Sequence, residues 1–290
     1  MAELHGWLVY KQKDAEVNRG FIMMLTEAAA AINLSLQLIY EEDLSIGISG
    51  GLAAIQHPIY DSRNLDFVLM RTINQLLTKQ FEAAGIRCFN SSSVASLCND
   101  KAQSYQYVSR LGIEMLDSWF ITSRTFNPEK IPFCRFPMVL KQSDGRGGKE
   151  VYLVHSTEEI EEILMQYPHK QFVLQQFAEQ PGKDLRVFVL GGEIIGAVMR
   201  TSATSFKANY TLGGKVAPYV LFPEEAEIVH RISAPLKADF IGIDFLLNSS
   251  GQLVFNEIED VVGCRSLYST TDVDAAALYM GHIKKTLKKG

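Results

Sequence analysis

Ile241-Gly242-Ile243-Asp244-Phe245-Leu246-Leu247, then Asn248-Ser249-Ser250-Gly251, then Leu253-Val254-Phe255-Asn256-Glu257-Ile258-Glu259 is the stretch on which the reading of this chain turns. Two runs rich in β-branched and aromatic residues flank a cluster of turn formers, which spells a hairpin. A two- or four-residue turn sets Asp244 opposite Phe255. Side chains alternate faces along each strand, so Asp244, Glu257 and Glu259 share one face. Ile243, Phe245, Leu247, Val254 and Ile258 then form the other, which is the core face. Three gathered carboxylates repel one another unless a cation sits among them. Oxygen-only ligands suit Mg²⁺ or Mn²⁺, the more so when phosphate oxygens complete the shell. An acidic solvent face is the competing reading of the same residues, and a three-residue loop would flip the register and break the cluster.

Upstream, Ser143-Asp144-Gly145-Arg146-Gly147-Gly148-Lys149 lies between two short strands, Met138–Lys141 and Val151–Val154. Three glycines in four positions let a backbone approach an anion and aim N–H groups at it. The spacing is neither GxxxxGK[ST] nor GxGxxG, and a strand follows rather than a helix. A mobile hairpin loop would look the same. Lys141 ends an apolar run, where a lysine either snorkels to solvent or reaches a phosphate. Lys101 falls in the first turn of a helix from Asn99 to Leu111, where the macrodipole disfavours a cation unless an anion sits nearby. Arg186 and Arg200 lie on the two strands of a hairpin around Gly191-Gly192, and Arg265 lies just beyond the acidic strand. Near a metal-bound phosphate such arginines hold a carboxylate and stabilise developing charge.

The rest of the chain supplies the frame. The first ninety or so residues alternate strands (Gly6–Tyr10, Leu36–Tyr40, Leu65–Met70, Ile86–Phe89) with helices (Val17–Ala31, Asn74–Ala84), the pattern of a parallel α/β sheet. Asn90-Ser91-Ser92-Ser93 marks a boundary by composition. Beyond it the pattern is α+β: helices at Thr157–Gln166, capped by Thr157, at Glu224–Leu236 until Pro235 disturbs it, and at Val273–Lys288. Strands at Phe172–Gln175, Leu185–Leu190 and Ile194–Met199 fall between them. The reading divides the chain into 1–95, 96–175 and 176–290. A length of 290 residues suits two or three domains. Lys plus Arg is 28 against 33 for Asp plus Glu, and a net charge of -5 without a basic block argues against nucleic-acid binding. No apolar stretch suits a membrane helix and no signal peptide stands at the start, so a cytoplasmic protein is expected. Four cysteines without a CxxC pair, and six scattered histidines, exclude a zinc site or a nucleophilic triad.

In this order the motifs resemble the ATP-grasp superfamily, and its RimK-like branch of carboxylate–amine ligases in particular. Asn99-Asp100-Lys101 and the helix after it resemble the family's lysine-bearing helix. Val139-Leu140-Lys141 with Asp144–Lys149 resembles the strand lysine and the glycine-rich loop that closes on ATP phosphates. The resemblance places the adenine hinge at Gln175-Gln176-Phe177 and the ribose at Asp184, with Asp184-Leu185-Arg186 matching an Asp-Ile-Arg signature. It places Arg200, Lys207 and Asn209 near phosphates, and the metal ligands on Asp244, Glu257 and Glu259. Two departures stand out: Glu259 occupies the place of an asparagine, and Gln176 that of a glutamate. The segment Asp260–Arg265 lacks the family's usual turn, so the substrates do not carry over.

The resemblance implies an α/β N-terminal domain followed by a two-lobed ATP-grasp fold. It implies an ATP-dependent, ADP-forming ligase that makes an amide or peptide bond through an acyl phosphate. Lys101, Lys141, Gly145, Gly147 and Gly148 would hold ATP phosphates together with two Mg²⁺ or Mn²⁺ ions. Arg200, with Arg186 and Arg265, would bind the carboxylate. The expected partners are small-molecule or peptide carboxylates and amines, with neither nucleic acid nor membrane, and a homo-oligomer is left open. A grasp-fold kinase stopping at phosphorylation, or an inactive nucleotide-binding protein, would carry the same motifs.

Overall fold

The computed structural model of the protein describes residues 4–207 and 214–288. The alternation of its first third builds β1 (Leu4–Tyr10), α1 (Gln12–Val17), α2 (Arg19–Ala31), β2 (Leu34–Tyr40), β3 (Ser45–Ser49), β4 (Leu52–Gln56), β5 (Phe67–Met70), α3 (Gln75–Ala83) and β6 (Arg87–Phe89). Four of these strands form a parallel sheet in the order β2-β1-β5-β6. Its strands read as apolar runs because both faces are covered. Leu8, Tyr10, Phe67 and Leu69 pack toward α2, whereas Trp7, Val9 and Val68 pack toward α3 and Ile55 of the β3–β4 hairpin. That hairpin has no counterpart among the expected strands, since its residues alternate without a deeply buried face. The helix expected over Val17–Ala31 forms as α2 from Arg19, with Asn18 separating it from α1 and donating its side-chain amide to Asp14 O.

The serine cluster read as a boundary also starts a helix. Ser91 caps α4 (Ser92–Cys98) by accepting from Val94 N. The following helix, α5 (Lys101–Ser109), is capped by Asp100 rather than Asn99, with Oδ1 2.9 Å from Ala102 N. Lys101 is therefore its first residue. Next come β7 (Ser118–Ile121), β8 (Met138–Gln142), β9 (Val151–Val154), α6 (Thr157–Gln166, capped by Ser156 rather than Thr157) and β10 (Phe172–Gln176). These strands form an antiparallel sheet, β7-β10-β8-β9. Met138, Leu140, Phe172 and Leu174 face α6 in its core. Val139, Lys141, Val173 and Gln175 face the other way by the alternation of the strands.

The last part contains β11 (Lys183–Leu190), β12 (Glu193–Thr201), β13 (Lys215–Pro218), α7 (Pro223–Leu236), β14 (Phe240–Leu247), β15 (Leu253–Glu259), α8 (Arg265–Thr270) and α9 (Ala275–Leu287). Helix α7 runs through Pro235 and stops at Lys237, which adopts φ 51°. The strands make an antiparallel sheet, β13-β12-β11-β14-β15. One face, including Val187, Ile243, Phe245 and Phe255, is buried with Tyr105, Val108 and Ile232 of α5 and α7. At one end of the other face, Phe188, Val198 and Phe240 meet α9 and the N-terminal core.

The deciding hairpin forms, with a different register from that expected. Leu247 pairs with Leu253 and Phe245 with Phe255, which leaves five residues, Asn248–Gln252, in the turn. The register then shifts at Asn256, and Asp244 faces Glu257 instead of Phe255. An odd loop alone would have turned the acids to the core, but the extra residue of the bulge restores them. The correction falls on two residues: Phe255 is in the core, and Val254 pairs with Leu246 on the opposite face.

Candidate active site

The register of β11 with its two neighbours decides which charged residues meet. Arg186 pairs with Asp244 and with Val198, and Asp184 pairs with Arg200 and with Leu246. Opposed residues share a face, so Asp184, Arg186, Arg200 and Asp244 stand together. Glu257 faces Asp244, and Glu259 faces Gly242 two residues along. Both arginines of the Gly191-Gly192 hairpin therefore lie on the acidic face. Carboxylate oxygens of Asp244, Glu257 and Glu259 lie within 4.8 Å of one another. An all-oxygen set at that spacing fits a hard divalent cation.

The arginines neutralise this cluster. Arg186 Nε and Nη2 donate to the two oxygens of Asp244 at 2.7 and 2.6 Å, and Nη2 also lies 2.9 Å from Glu259. Arg200 Nη2 donates to Asp244 at 2.7 Å while its Nε pairs with Asp184. Asp244 is 1% exposed, and burial opposes its ionisation, yet the Arg186 and Arg200 guanidiniums hold its carboxyl at about 2. Asp184 responds in the opposite direction: burial lifts it to about 6 against the pull of Arg200. Burial likewise raises Glu259, with Arg186 opposing it. Protons should therefore collect on Asp184 and Glu259 before they reach Asp244.

Above this face, a cavity of about 290 Å³ opens between the two antiparallel sheets. Val139, Lys141, Gln175 and Gln176 line it from one side, and Leu246, Asn256, Glu257 and Glu259 from the other. The Lys141 ammonium is buried, donating to Asn256 Oδ1 at 2.7 Å and lying 3.5 Å from the Tyr105 hydroxyl. Burial lowers it to about 8, with Glu257 and Asp244 resisting the shift. Gln175 donates to Tyr105 and Ser118 hydroxyls, both at 3.0 Å, which locks its side chain. Gln176 N–H is bonded to Asp117 O. Phe177 lies at the cavity wall against Phe206, their centroids 6.0 Å apart.

The glycine-rich loop covers the cavity. Gly147 and Gly148 adopt φ 63° and 73°, the left-handed conformation that glycine permits at little cost. Three cations hold the loop. Lys101 Nζ donates to Gly145 O at 2.7 Å and sits 3.4 Å from Glu257, and Lys207 Nζ donates to Gly148 O at 2.6 Å. Arg146, on the loop, donates to Asn99 Oδ1 at 2.6 Å and lies 3.7 Å from buried Asp260. The conflict between Lys101 and its helix terminus is settled by these partners, with the cap itself provided by Asp100.

The structure thus gathers Lys101, Lys141, Gly145, Gly147, Gly148, Gln175, Gln176, Phe177, Asp184, Lys207, Glu257 and Glu259 at one cavity. Asp244, Arg186 and Arg200 stand directly beneath it. Arg265 is elsewhere: it is exposed at the start of α8, with Nη2 3.4 Å from Asn18 Oδ1. Asn209 lies outside the described residues. Sequence reasoning missed Asn256, Tyr105 and the Arg146–Asp260 pair. Asn256 was detectable in principle, as the one uncharged polar residue in the second strand of the deciding hairpin.

Two antiparallel sheets closing on a cleft, a glycine-rich loop with lysines on one and an acid–arginine face on the other, define an enzyme of the ATP-grasp class. The chain belongs to the RimK-like ATP-grasp family, whose model matches residues 98–283. It is similar to the uncharacterized protein MG011 of Mycoplasma genitalium, at 27% identity over 262 residues, which are 90% of this chain and 85% of that one. It is also similar to a probable alpha-L-glutamate ligase of Maridesulfovibrio salexigens, at 28% identity over 219 residues, 74% of this chain and 72% of that one. A RimK-domain ATP-grasp protein from Sphaerobacter thermophilus has the same fold, with a TM-score of 0.74 at 18% identity, covering 97% of this chain and 99% of that one.

Proposed function

We propose that this ATP-dependent carboxylate–amine ligase couples an amino acid or peptide to a second amino acid or peptide through an acyl phosphate. A carboxylate oxygen attacks the γ-phosphorus, the bond to the β-phosphate oxygen breaks, and ADP departs. The amine then attacks the acyl carbon and phosphate leaves, while the amine's proton passes to solvent or phosphate. Positioning and electrostatics carry most of such a reaction.

Placement supports each role. Lys101, Lys141 and Lys207, with the N–H groups of Gly145–Gly148, hold phosphates. Gln175–Phe177 frame the base and Asp184 the ribose. Asp244, Glu257 and Glu259 would hold Mg²⁺, which would withdraw charge from the phosphates. Two divalent ions would match the four charges of ATP, beside a site where Arg186, Arg200, Lys101, Lys141 and Lys207 face Asp184 and the three ligands. Arg200 neutralises the attacking carboxylate, and Arg186 orients Asp244 and Glu259. We assign 1–95 to an N-terminal α/β domain, 96–175 to one grasp lobe and 176–290 to the metal-bearing lobe. A cytoplasmic setting suits four free cysteines, three of them buried, and no helix among the described residues is long and apolar enough to cross a membrane.

The observation that carries this reading is the convergence of three acidic oxygens on the face opposite the lysines and the glycine-rich loop. The likeness to a protein named for α-L-glutamate ligation supports an amino acid as a substrate. The test is phosphate release from Mg²⁺-ATP over a matrix of amino acids and peptides, with mass spectrometry of the products. A ligase gives amine-dependent ADP and an amide. A kinase would give amine-independent ADP and a phosphorylated product, and an inactive binder would give no ADP.

A further inference from the structure

Two side chains at the foot of the glycine-rich loop bond close to home. Ser143 Oγ donates to Asp100 at 2.7 Å, and Lys101 N–H donates to Ser143 O at 2.9 Å, which fixes the stem to the start of α5. Asp144 pairs with Lys170 at 2.6 Å and accepts from Gln142 at 2.7 Å, both beside the sheet that carries the loop. Arg146 reaches the other way, across the rim of the cavity. Its Nη2 lies 2.6 Å from Asn99 Oδ1 and 3.7 Å from Asp260 Oδ1. Among the described residues it is the one loop side chain in an ion pair with the part of the chain that bears the three acids.

Asn99 is set to receive it. Its Nδ2 donates to Ala95 O at 2.8 Å and to Asp260 Oδ1 at 3.0 Å, so both amide hydrogens are spent and Oδ1 is left facing a donor. The Arg146 guanidinium is that donor. Asp260 directly follows Glu259, which Arg186 holds at 2.9 Å, so this anchor is continuous with the acidic face. The Asp260 side chain is 6% exposed and that of Arg146 39%. Among the described residues no other cation forms an ion pair with Asp260. A carboxylate so placed depends on its cation, because water does not reach it to take the cation's place. Lifting the loop parts Arg146 from Asn99 and Asp260 together, and the charge of Asp260 therefore favours the lowered loop.

We propose that Arg146 and Asp260, with Asn99 between them, form a clasp that sets how long the glycine-rich loop stays over a bound nucleotide. Both are positioning residues: they act through the loop, and neither is among the groups assigned to phosphate. The proposal rests on the placing of ATP phosphates beneath Gly145–Gly148, and adds an anchor for the loop that is independent of phosphate. Because that anchor is one residue beyond Glu259, the clasp joins the loop to the strand whose acids face the phosphates. A fully buried pair would make the loop's release very slow, and a fully exposed one would have little effect. One buried end and one half-open end put the expected effect between these limits, at roughly tenfold in release rate.

The test loads the full chain with Mg²⁺ and methylanthraniloyl-ADP and follows dissociation after mixing with excess ADP. Arg146→Ala should speed release by about tenfold, and Asp260→Asn, which keeps the side-chain shape, by a similar factor. The double variant should release no more than about threefold faster than either single one, since each change already opens the same clasp. Arg146→Lys keeps the charge and should restore release to within about threefold of wild type. Arg146 lies on an exposed part of the loop, so its variants should keep the wild-type urea midpoint, which separates the effect from misfolding. Release within twofold of wild type in Arg146→Ala overturns the clasp. So does a double variant whose effect is the product of the two single effects, because the residues would then act separately. Hydrogen exchange of the wild type with and without Mg²⁺-ADP tests the reading beneath. If ADP gives residues 143–150 no protection, the placing of the phosphates falls and the clasp with it. Protection in the wild type with unaltered release in the variants overturns the clasp alone.

Discussion

Replacing Glu257 by glutamine keeps the shape of the side chain and removes one charge from the acidic cluster. Two consequences can be worked from distances. In the metal-free protein the Glu257 carboxylate lies 3.4 Å from Lys101, an attraction of about 5 kcal/mol at an effective dielectric of about 20. At the outer limit of 4.8 Å it is repelled by Asp244 and by Glu259 by roughly 3.5 kcal/mol each. Loss and relief nearly cancel, so urea unfolding without metal should change by no more than about 2 kcal/mol. A divalent ion centred among oxygens 4.8 Å apart would lie about 2.8 Å from each, and its gross attraction to one carboxylate is about 12 kcal/mol on the same dielectric. If a third of this survives dehydration of the ion, about 4 kcal/mol is lost, or roughly a thousandfold in Mg²⁺-ATP turnover. The assay is coupled ADP release over a range of Mg²⁺, run beside the unfolding curve. Turnover within tenfold of wild type would refute the metal assignment. A loss of turnover matched by an equal loss of metal-free stability would refute the electrostatic balance.

Three further outcomes follow from the same geometry. Lys141, held at about 8 against an ordinary value of 10.5, is protonated below pH 8 in both folded and unfolded chains. Between these values only the unfolded chain keeps the proton, so stability should rise with pH across that window while ATP affinity falls. Calorimetry in buffers of different ionisation enthalpy should show proton uptake on ATP binding near pH 8, and Lys141→Met should abolish it. Asn256→Leu removes the 2.7 Å acceptor of the buried ammonium and should cost about 1–3 kcal/mol in urea unfolding; an unchanged midpoint would mean that Tyr105 alone suffices. Arg146→Ala unties the loop from Asn99 and Asp260, and hydrogen exchange should accelerate at residues 143–150 and nowhere in the parallel sheet.

Much of this architecture was readable because it rests on local periodicity. The apolar runs of β1, β5 and β14, and the alternation of β11, follow from burial on one face or both. Caps were less legible: Asp100 and Ser156 each won over a neighbouring polar residue, Asn99 and Thr157, because helix entry depends on one backbone angle. The acids came together for a reason different from the one expected. The expectation relied on an even turn, whereas the protein uses five residues and a bulge, two steps of opposite effect on which face a side chain takes. Arg186 and Arg200 could not be placed by composition, since their common face depends on the register of β11 with β12 across the Gly191-Gly192 turn. Asn256 and Tyr105 were missed because their importance lies in what they touch, Lys141, which is distant from both along the chain. Arg265 was grouped with the other arginines through its place after the acidic strand, and the fold turns it to the outer edge beside Asn18.

The bulge at Asn256 makes up for the odd number of residues in the turn. Asn248–Gln252 sits at the far tip, and the alignment of Asp244 with Glu257 is reset below it. Lengthening that tip by an even number of residues would leave the acidic face undisturbed. The hairpin end is thus a tolerant place for grafts, tags or evolutionary elaboration, whereas a single deletion at Asn256 would turn Glu257 and Glu259 toward the apolar interior.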